Sequence, residues 1–224
     1  MLLTIEGLLN PAQLEKIHER LARGVEEDGR VTAGMAAKRV KNNLELRFQP
    51  ADRELLLRII MSTLGNDARF RGAALPLKMA DPIFARYRPG MTYGDHVDDP
   101  IMGTSGPKFR SDVSMTIFLN DASEYDGGEL VIRTTWGEKR VKLNAGDAVI
   151  YPSASVHRVD PVTRGERLVC VTWIQSLVRD AARRELLYEL GEAREVLLKR
   201  DPDADSTKQI DRSYVNLLRM WSDC

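Results

Sequence analysis

Residues Arg86 to Asp98 read RYRPGMTYGDHVD and end in His96-Val97-Asp98, an imidazole and a carboxylate one residue apart. In an extended segment positions i and i+2 share a face, so the two groups can converge on one point. Two ligands seldom hold a divalent metal, and the chain has only three histidines from which to draw a third. His18 falls in a polar, helix-like N-terminal segment, whereas His157 falls in the strand-like YPSASVHRVDP. Two imidazoles and one carboxylate on one face leave coordination positions open, a ligand set that suits a ferrous ion reacting with oxygen. The same residues would also serve a humbler purpose, because a strand histidine bonded to a nearby aspartate is commoner than a metal site.

Ten residues after His157 comes Arg167, behind the turn-forming DPVTRGE and at the head of the apolar, β-branched run RLVCVTWIQ. A hairpin centred near Thr163 and Arg164 would set His157 opposite Val169 and diagonal to Arg167. Diagonal neighbours on one sheet face lie about 7–8 Å apart. A short keto diacid could then chelate the metal at one end while Arg167 forks its distal carboxylate, which suits 2-oxoglutarate. Tyr87 precedes the ligand strand on an inward face, placed either to help hold that acid or to fill the interior as an aromatic.

HVD at 96–98, DGGEL at 126–130, AGDAVIYPS at 145–153, His157 and GER at 165–167 together resemble the Fe(II)- and 2-oxoglutarate-dependent dioxygenases of the prolyl and lysyl hydroxylase type. DGRVTAG (28–34), VKNN (40–43), RSDVSMTIFL (110–119), WIQSLVRD (173–180) and NLLRMW (216–221) are similar to a small bacterial group, the PKHD-type hydroxylases. The resemblance spans nearly the whole chain. It implies a double-stranded β-helix, or jelly roll, with Fe(2+) on His96, Asp98 and His157 as the catalytic set. It implies 2-oxoglutarate and O2 as co-substrates, with Arg167 on the keto acid, and L-ascorbate (vitamin C) as the reductant. The implied reaction hydroxylates a peptidyl or small-molecule substrate while 2-oxoglutarate is decarboxylated to succinate, with a link to bacterial iron homeostasis. Two other readings use the same residues: a cupin-like metal protein doing other chemistry, and a non-enzymatic iron or 2-oxoglutarate sensor. A cupin has no need of an arginine at position 167.

Three regions must position these groups. Residues 1–77 form an N-terminal helical support region. Asn10-Pro11 reads as a cap and first turn, and Leu14, Ile17, Leu21 and Val25 recur at helical spacing. A second helix runs from about Arg53 to Leu64, with Leu56, Ile59, Ile60 and Leu64 inward. Between them Lys38 and Arg39 read as a solvated face. Residues 78–177 change to short strands separated by Gly, Pro, Asn and Asp, which argues for an antiparallel jelly roll. Ile83, Ala85 and Tyr87 share one side. Val113, Met115, Ile117 and Leu119 oppose Ser114, Thr116 and Phe118, and Trp173 shares parity with Arg167, Val169 and Val171. Parity turns Asp99 away from the metal side with Val97. Gly127-Gly128 reads as a tight turn without chemistry, Asp147 and Tyr151 as structural. The loop within 99–111, directly after the ligand aspartate, is placed to act as a substrate lid. Residues 178–224 form a C-terminal helical region with Leu186, Leu187 and Leu190 on its stripe, which could pack on the sheet or join a homo-oligomer. The fold expected is thus α+β with a mainly β core, a jelly roll flanked by helices at both ends.

The 224 residues carry 33 basic and 33 acidic side chains, so no basic footprint for nucleic acid stands out. MLLTIEGLLNPAQLEK turns polar too soon for a signal peptide, and no apolar run approaches a membrane span. Cys170 and Cys224 form no CxxC, and a cytoplasmic setting fits.

Overall fold

A computed structural model describes residues 1–103 and 108–223. In chain order the strands are β1 (Leu3–Ile5), β2 (Val25–Asp28), β3 (Lys41–Asn42), β4 (Leu44–Arg47), β5 (Pro76–Met79), β6 (Ile83–Tyr87), β7 (Thr92–His96), β8 (Ile101–Met102) and β9 (Phe109–Arg110). They continue with β10 (Val113–Phe118), β11 (Asp126–Gly127), β12 (Leu130–Thr134), β13 (Gly137–Val141), β14 (Ala148–Pro152), β15 (His157–Val159), β16 (Val162–Arg164) and β17 (Arg167–Ser176). The helices are α1 (Pro11–Leu21), α2 (Pro50–Asn66), α3 (Ala68–Ala74), α4 (Ala181–Arg200) and α5 (Asp205–Trp221).

Two antiparallel sheets face one another. The larger runs β1-β14-β10-β17-β6-β4-β2, with β5 also on β17, and the smaller runs β13-β12-β15-β7-β3. This is the jelly roll. The parity of β10 explains its place in the middle. Val113, Met115 and Ile117 pack into the core beneath the helices, while Ser114, Thr116 and Phe118 turn toward the space between the sheets. Both faces are covered, so every residue of the strand is buried.

The helices form because the sequence starts and stops them. Asn10 and Gln13 cap α1 reciprocally, each side chain meeting the other's backbone N–H at 2.9 Å, with Pro11 in the first turn. Ile17 and Leu21 from α1, Leu56, Ile60 and Leu64 from α2, and Phe70 from α3 close over the large sheet. Burying each such side chain stabilises the fold by about 1.5–3 kcal/mol. Val25 departs from the expected stripe: α1 stops at Leu21, and Val25 opens β2 with 67% of its surface exposed. Gly24 follows, at a point where a side chain would press on Phe48 and Leu46.

The N-terminal 77 residues contribute strands as well as helices, since β1, β2 and β4 extend the large sheet and β3 the small one. At the other end, Leu187 of α4 and Val178 pack on Leu75, covered by Tyr214, Leu217, Leu218 and Trp221 of α5. Leu186 is exposed, off that stripe. Lys38 and Arg39 are exposed, as expected.

The expected hairpin between His157 and Arg167 does not form. β15 pairs with β12 and β7 in the small sheet, whereas β17 pairs with β10, β6 and β5 in the large one. Between them β16 pairs with β11, so the chain crosses from one sheet to the other instead of folding back. Of the expected lid, β8 and β9 pair as a short ribbon, and residues 104–107 lie outside the described residues, as does Cys224.

Candidate active site

His96 ends β7 and His157 opens β15, and the two are direct partners across the small sheet. Their rings lie 4.2 Å apart between centroids. Asp98 follows two residues beyond β7, and one ligand atom from each of the three residues lies within 4.8 Å of the others. Each histidine Nδ1–H donates to a backbone carbonyl two residues back, His96 to Gly94 at 2.8 Å and His157 to Ser155 at 3.0 Å. That leaves both Nε2 lone pairs for a metal, the arrangement by which outer hydrogen bonds fix a ligand's tautomer. Burial first, and the neighbouring His157 second, hold His96 down to about 4, so its imidazole is neutral and able to ligate at neutral pH. Ser114 Oγ donates to Asp98 Oδ2 and lies 2.7 Å from Ser153 Oγ. His157 Nε2 and Asp98 Oδ1 are 3.8 Å apart, too far for a hydrogen bond between them. The plain histidine–aspartate bond is therefore not what these residues make.

The triad sits in the wall of a cavity of about 820 Å³ between the sheets. Arg167 lines the same cavity from the opposite, larger sheet, directly opposite Tyr87, its partner on β6. Arg167 is 1% exposed, and its Nε has no hydrogen-bond partner among the described residues. Its guanidinium carbon lies 5.0 Å from the Tyr87 ring centre and 5.6 Å from that of Phe118. Burial pushes the Tyr87 phenol up to about 12 against the pull of Arg167, so its hydroxyl remains a donor. A buried guanidinium without a carboxylate beside it is costly unless an anion meets it. The two imidazoles, one carboxylate and this buried cation fit a ferrous ion with a keto diacid spanning the two sheets.

Other residues reach the site that residue spacing did not single out. Tyr93 stacks on His96 with ring centres 3.6 Å apart, although three residues in a regular strand would put them on opposite faces. The register slips between His157 and Val159, a bulge at Gly94-Asp95 that turns both rings inward. Gly94, pressed against Val40, was the only signal in the sequence. Tyr151, expected to be structural, meets His157 edge-on at 5.1 Å and lines the cavity. Lys41, from the VKNN stretch, lies over the Tyr93 ring at 5.2 Å and binds Glu45 at 2.7 Å in the wall. Asp99 lines the cavity too, contrary to its expected parity, because β7 ends at His96 and strict alternation ends with it.

The chain is similar to known proteins along its whole length. Residues 82–175 match the model of the 2OG-Fe(II) oxygenase superfamily, and residues 180–223 that of the PKHD-type hydroxylase C-terminal domain. A PKHD-type hydroxylase of Thioalkalivibrio sulfidiphilus is 51% identical over the full length of both chains, and one of Synechococcus elongatus 43%. Among solved structures, a Pseudomonas putida prolyl-4-hydroxylase is similar with a TM-score of 0.55 and 21% identity, covering 78% of this chain and 92% of that one. A Trichoplax adhaerens prolyl hydroxylase gives 0.58 at 16% identity, covering 83% and 86%. These likenesses establish the shared jelly-roll fold, and the full-length relatives establish the rest: the chain belongs to the PKHD-type hydroxylases, 2-oxoglutarate-dependent enzymes of the 2OG-Fe(II) oxygenase superfamily.

Proposed function

We propose that His96, Asp98 and His157 bind Fe(2+), and that Arg167, aided by Tyr87, holds the distal carboxylate of 2-oxoglutarate. The observation that carries this is Arg167 itself: a buried guanidinium with no carboxylate partner among the described residues and its Nε unpaired, facing the same cavity as the three ligands. Bound iron would supply oxygen activation coupled to decarboxylation of 2-oxoglutarate to succinate. The chain's own part is positional. The backbone carbonyls of Gly94 and Ser155 keep both Nε2 atoms turned to the metal, Ser114 holds Asp98, and the aromatic rings of Tyr87, Tyr93 and Tyr151 exclude water around the reacting groups.

The substrate is peptidyl or a small molecule. The cavity is at the upper end of small-ligand pockets and larger than a five-carbon diacid needs, which leaves room for a second occupant. Solved relatives of similar fold take both kinds, a peptide fragment in the Trichoplax enzyme and hygromycin B in the Streptomyces protein HygX. We place the reaction in the cytoplasm, with ascorbate keeping the iron ferrous and with a role in iron homeostasis. No helix among the described residues is long and apolar enough to cross a membrane. We assign residues 78–177 as the catalytic unit, with 1–77, whose strands extend its sheets as well as helices covering them, and the helical 178–224 as its supports, and the terminal helices as the surface for any homo-oligomer.

A cupin-like protein with other chemistry would have no use for a buried cation at position 167, and a sensor would bind 2-oxoglutarate without consuming it. Oxygen-dependent succinate formation by wild type, absent in His96→Ala, is the expected result. Binding without any succinate would leave the sensor, and no binding would leave the cupin. Comparing metabolites and peptides from cells with wild type or His96→Ala for species gaining one oxygen would then identify the substrate.

A further inference from the structure

Arg167 is the first residue of β17, and its side chain can be in place only if the backbone at the head of that strand is fixed. The preceding turn does not fix it unaided, because Gly165 sits at φ +71°, open to other conformations in isolation. The fixing comes from residues 120–128, which run as a seam along residues 162–168. Asn120, 5% exposed, donates from Nδ2 to the Glu166 carbonyl at 2.7 Å and accepts the Leu168 N–H at Oδ1 at 2.9 Å. One side-chain amide thereby grips the peptide groups on both sides of Arg167. Its Nδ2 also reaches Glu124 Oε2 at 3.3 Å, which ties the amide to its own turn.

The rest of the seam closes around the same point. A Cβ on Gly165 would lie 2.1 Å from the Glu124 carbonyl oxygen, so the turn is pressed directly onto that segment. Arg164 pairs with Asp126 at 2.6 Å. Gly128, at φ +67°, leaves the space the arginine stem occupies: a Cβ there would meet Arg167 Cδ at 3.1 Å and Tyr125 Cε2 at 3.2 Å. Tyr125 is fully buried, and its hydroxyl, like Arg167 Nε, has no partner among the described residues. DGGEL thus has a use beyond its turn: its second glycine makes room for the arginine.

We propose that Asn120 is a positioning residue for 2-oxoglutarate, clamping the backbone on either side of Arg167 so that the guanidinium meets the distal carboxylate. The inference rests on the reading of Arg167 as the anchor of that carboxylate. Asn120 lies outside the cavity lining and bonds Glu124, Glu166 and Leu168, not the three ligands, so its loss should weaken only what Arg167 recognises.

The test is anaerobic titration of the full-length, Fe(II)-loaded protein with 2-oxoglutarate and, separately, with 2-oxobutyrate, which keeps the keto-acid end and lacks the distal carboxylate. Asn120→Ala should raise the Kd for 2-oxoglutarate about 5- to 20-fold, the loss expected for two neutral hydrogen bonds acting through a neighbour. Affinity for 2-oxobutyrate should stay within about twofold. Asn120→Ser leaves a small neutral hydroxyl at the site without burying a charge against Glu124, so it should fall between wild type and alanine, and it carries the test if the alanine variant does not fold. Equal weakening of both acids would make Asn120 a merely structural residue and overturn the inference. So would an unchanged Kd for 2-oxoglutarate. A wild type that binds both acids equally would remove Arg167 from the keto acid, and the inference would fall with the reading beneath it.

Discussion

Arg167→Ala separates what the guanidinium does for the fold from what it does for the ligand, and the structure gives the two effects different sizes. In the ligand-free protein the charge is 1% exposed, with Tyr87 and Phe118 rings at 5.0 and 5.6 Å as its nearest compensation. Cation–π contacts of this kind stabilise by about 0.5–2 kcal/mol each. Burying a cation without an anion costs several kcal/mol. Truncation therefore removes packing and relieves an uncompensated charge at once, and the ligand-free variant should unfold within about 2 kcal/mol of wild type. With 2-oxoglutarate bound the balance changes, because truncation then leaves a carboxylate unpaired in the cavity. Losing one partner of a desolvated charge pair typically costs about 2–5 kcal/mol, or about 30-fold to several-thousand-fold in affinity. Arg167→Lys should recover part of this, since an ammonium supplies the charge without the planar fork. Denaturant unfolding of the ligand-free variants and anaerobic titration of the Fe(II)-loaded ones give the two numbers. Unchanged affinity in Arg167→Ala would refute the assignment. The other cations lining the cavity are Lys41 and Arg47, already paired with Glu45 and Glu27. Arg158 and Arg164 are held by Glu138, Asp160 and Asp126.

Metal binding should stabilise the folded chain by about 2.7 kcal/mol at a hundredfold excess over Kd, a rise in Tm of about 5–11 °C for a chain of this size. His157→Ala should abolish that rise, and an equal rise in the variant would remove His157 from the site. Asp67, which caps α3 through the Phe70 N–H at 2.9 Å, should cost about 1 kcal/mol when replaced by alanine. Although burial pushes the Asp67 carboxyl up, Arg69 and the Phe70 N–H outweigh it and hold the group below its ordinary 3.8. Its contribution is therefore present above pH 3.8 and lost as pH falls through the lower folded value, so urea unfolding of wild type and Asp67→Ala should converge at low pH. A gap that persisted there would refute the cap as its source. Limited proteolysis should not release a stable, active 78–175 fragment, because that fragment loses β1, β2 and β4 from the large sheet and the helices that cover it. Recovery of such a fragment would show that the terminal regions are dispensable.

The site was legible in the sequence wherever a side chain's face depends on its own strand alone. Arg167, Val171 and Trp173 alternate along β17, and Ile83, Ala85 and Tyr87 along β6, so two-residue parity placed all six on the cavity wall without knowing which strand lay next to which. Strand partnership is another matter. Hydrophobic alternation is the same whether the next strand folds back or crosses over, and the 10 residues from His157 to Arg167 allow either. The crossing depends on β11 capturing β16, a pairing of two short segments that leaves almost no trace in composition. Parity also fails where the strand is irregular, as the Gly94 bulge brought Tyr93 inward and the end of β7 released Asp99. The consequence is chemical. In a hairpin, His157 and Arg167 would lie side by side on one sheet, and the keto acid would lie along it. With β15 and β17 in opposing sheets, a ligand held by both must cross the cavity, its metal-binding end on one wall and its distal carboxylate on the other. Affinity then depends on the spacing between two sheets rather than on the register within one. That places unusual weight on whatever fixes the head of β17, and the Asn120 amide, gripping the peptide on each side of Arg167, is the group best placed to do it.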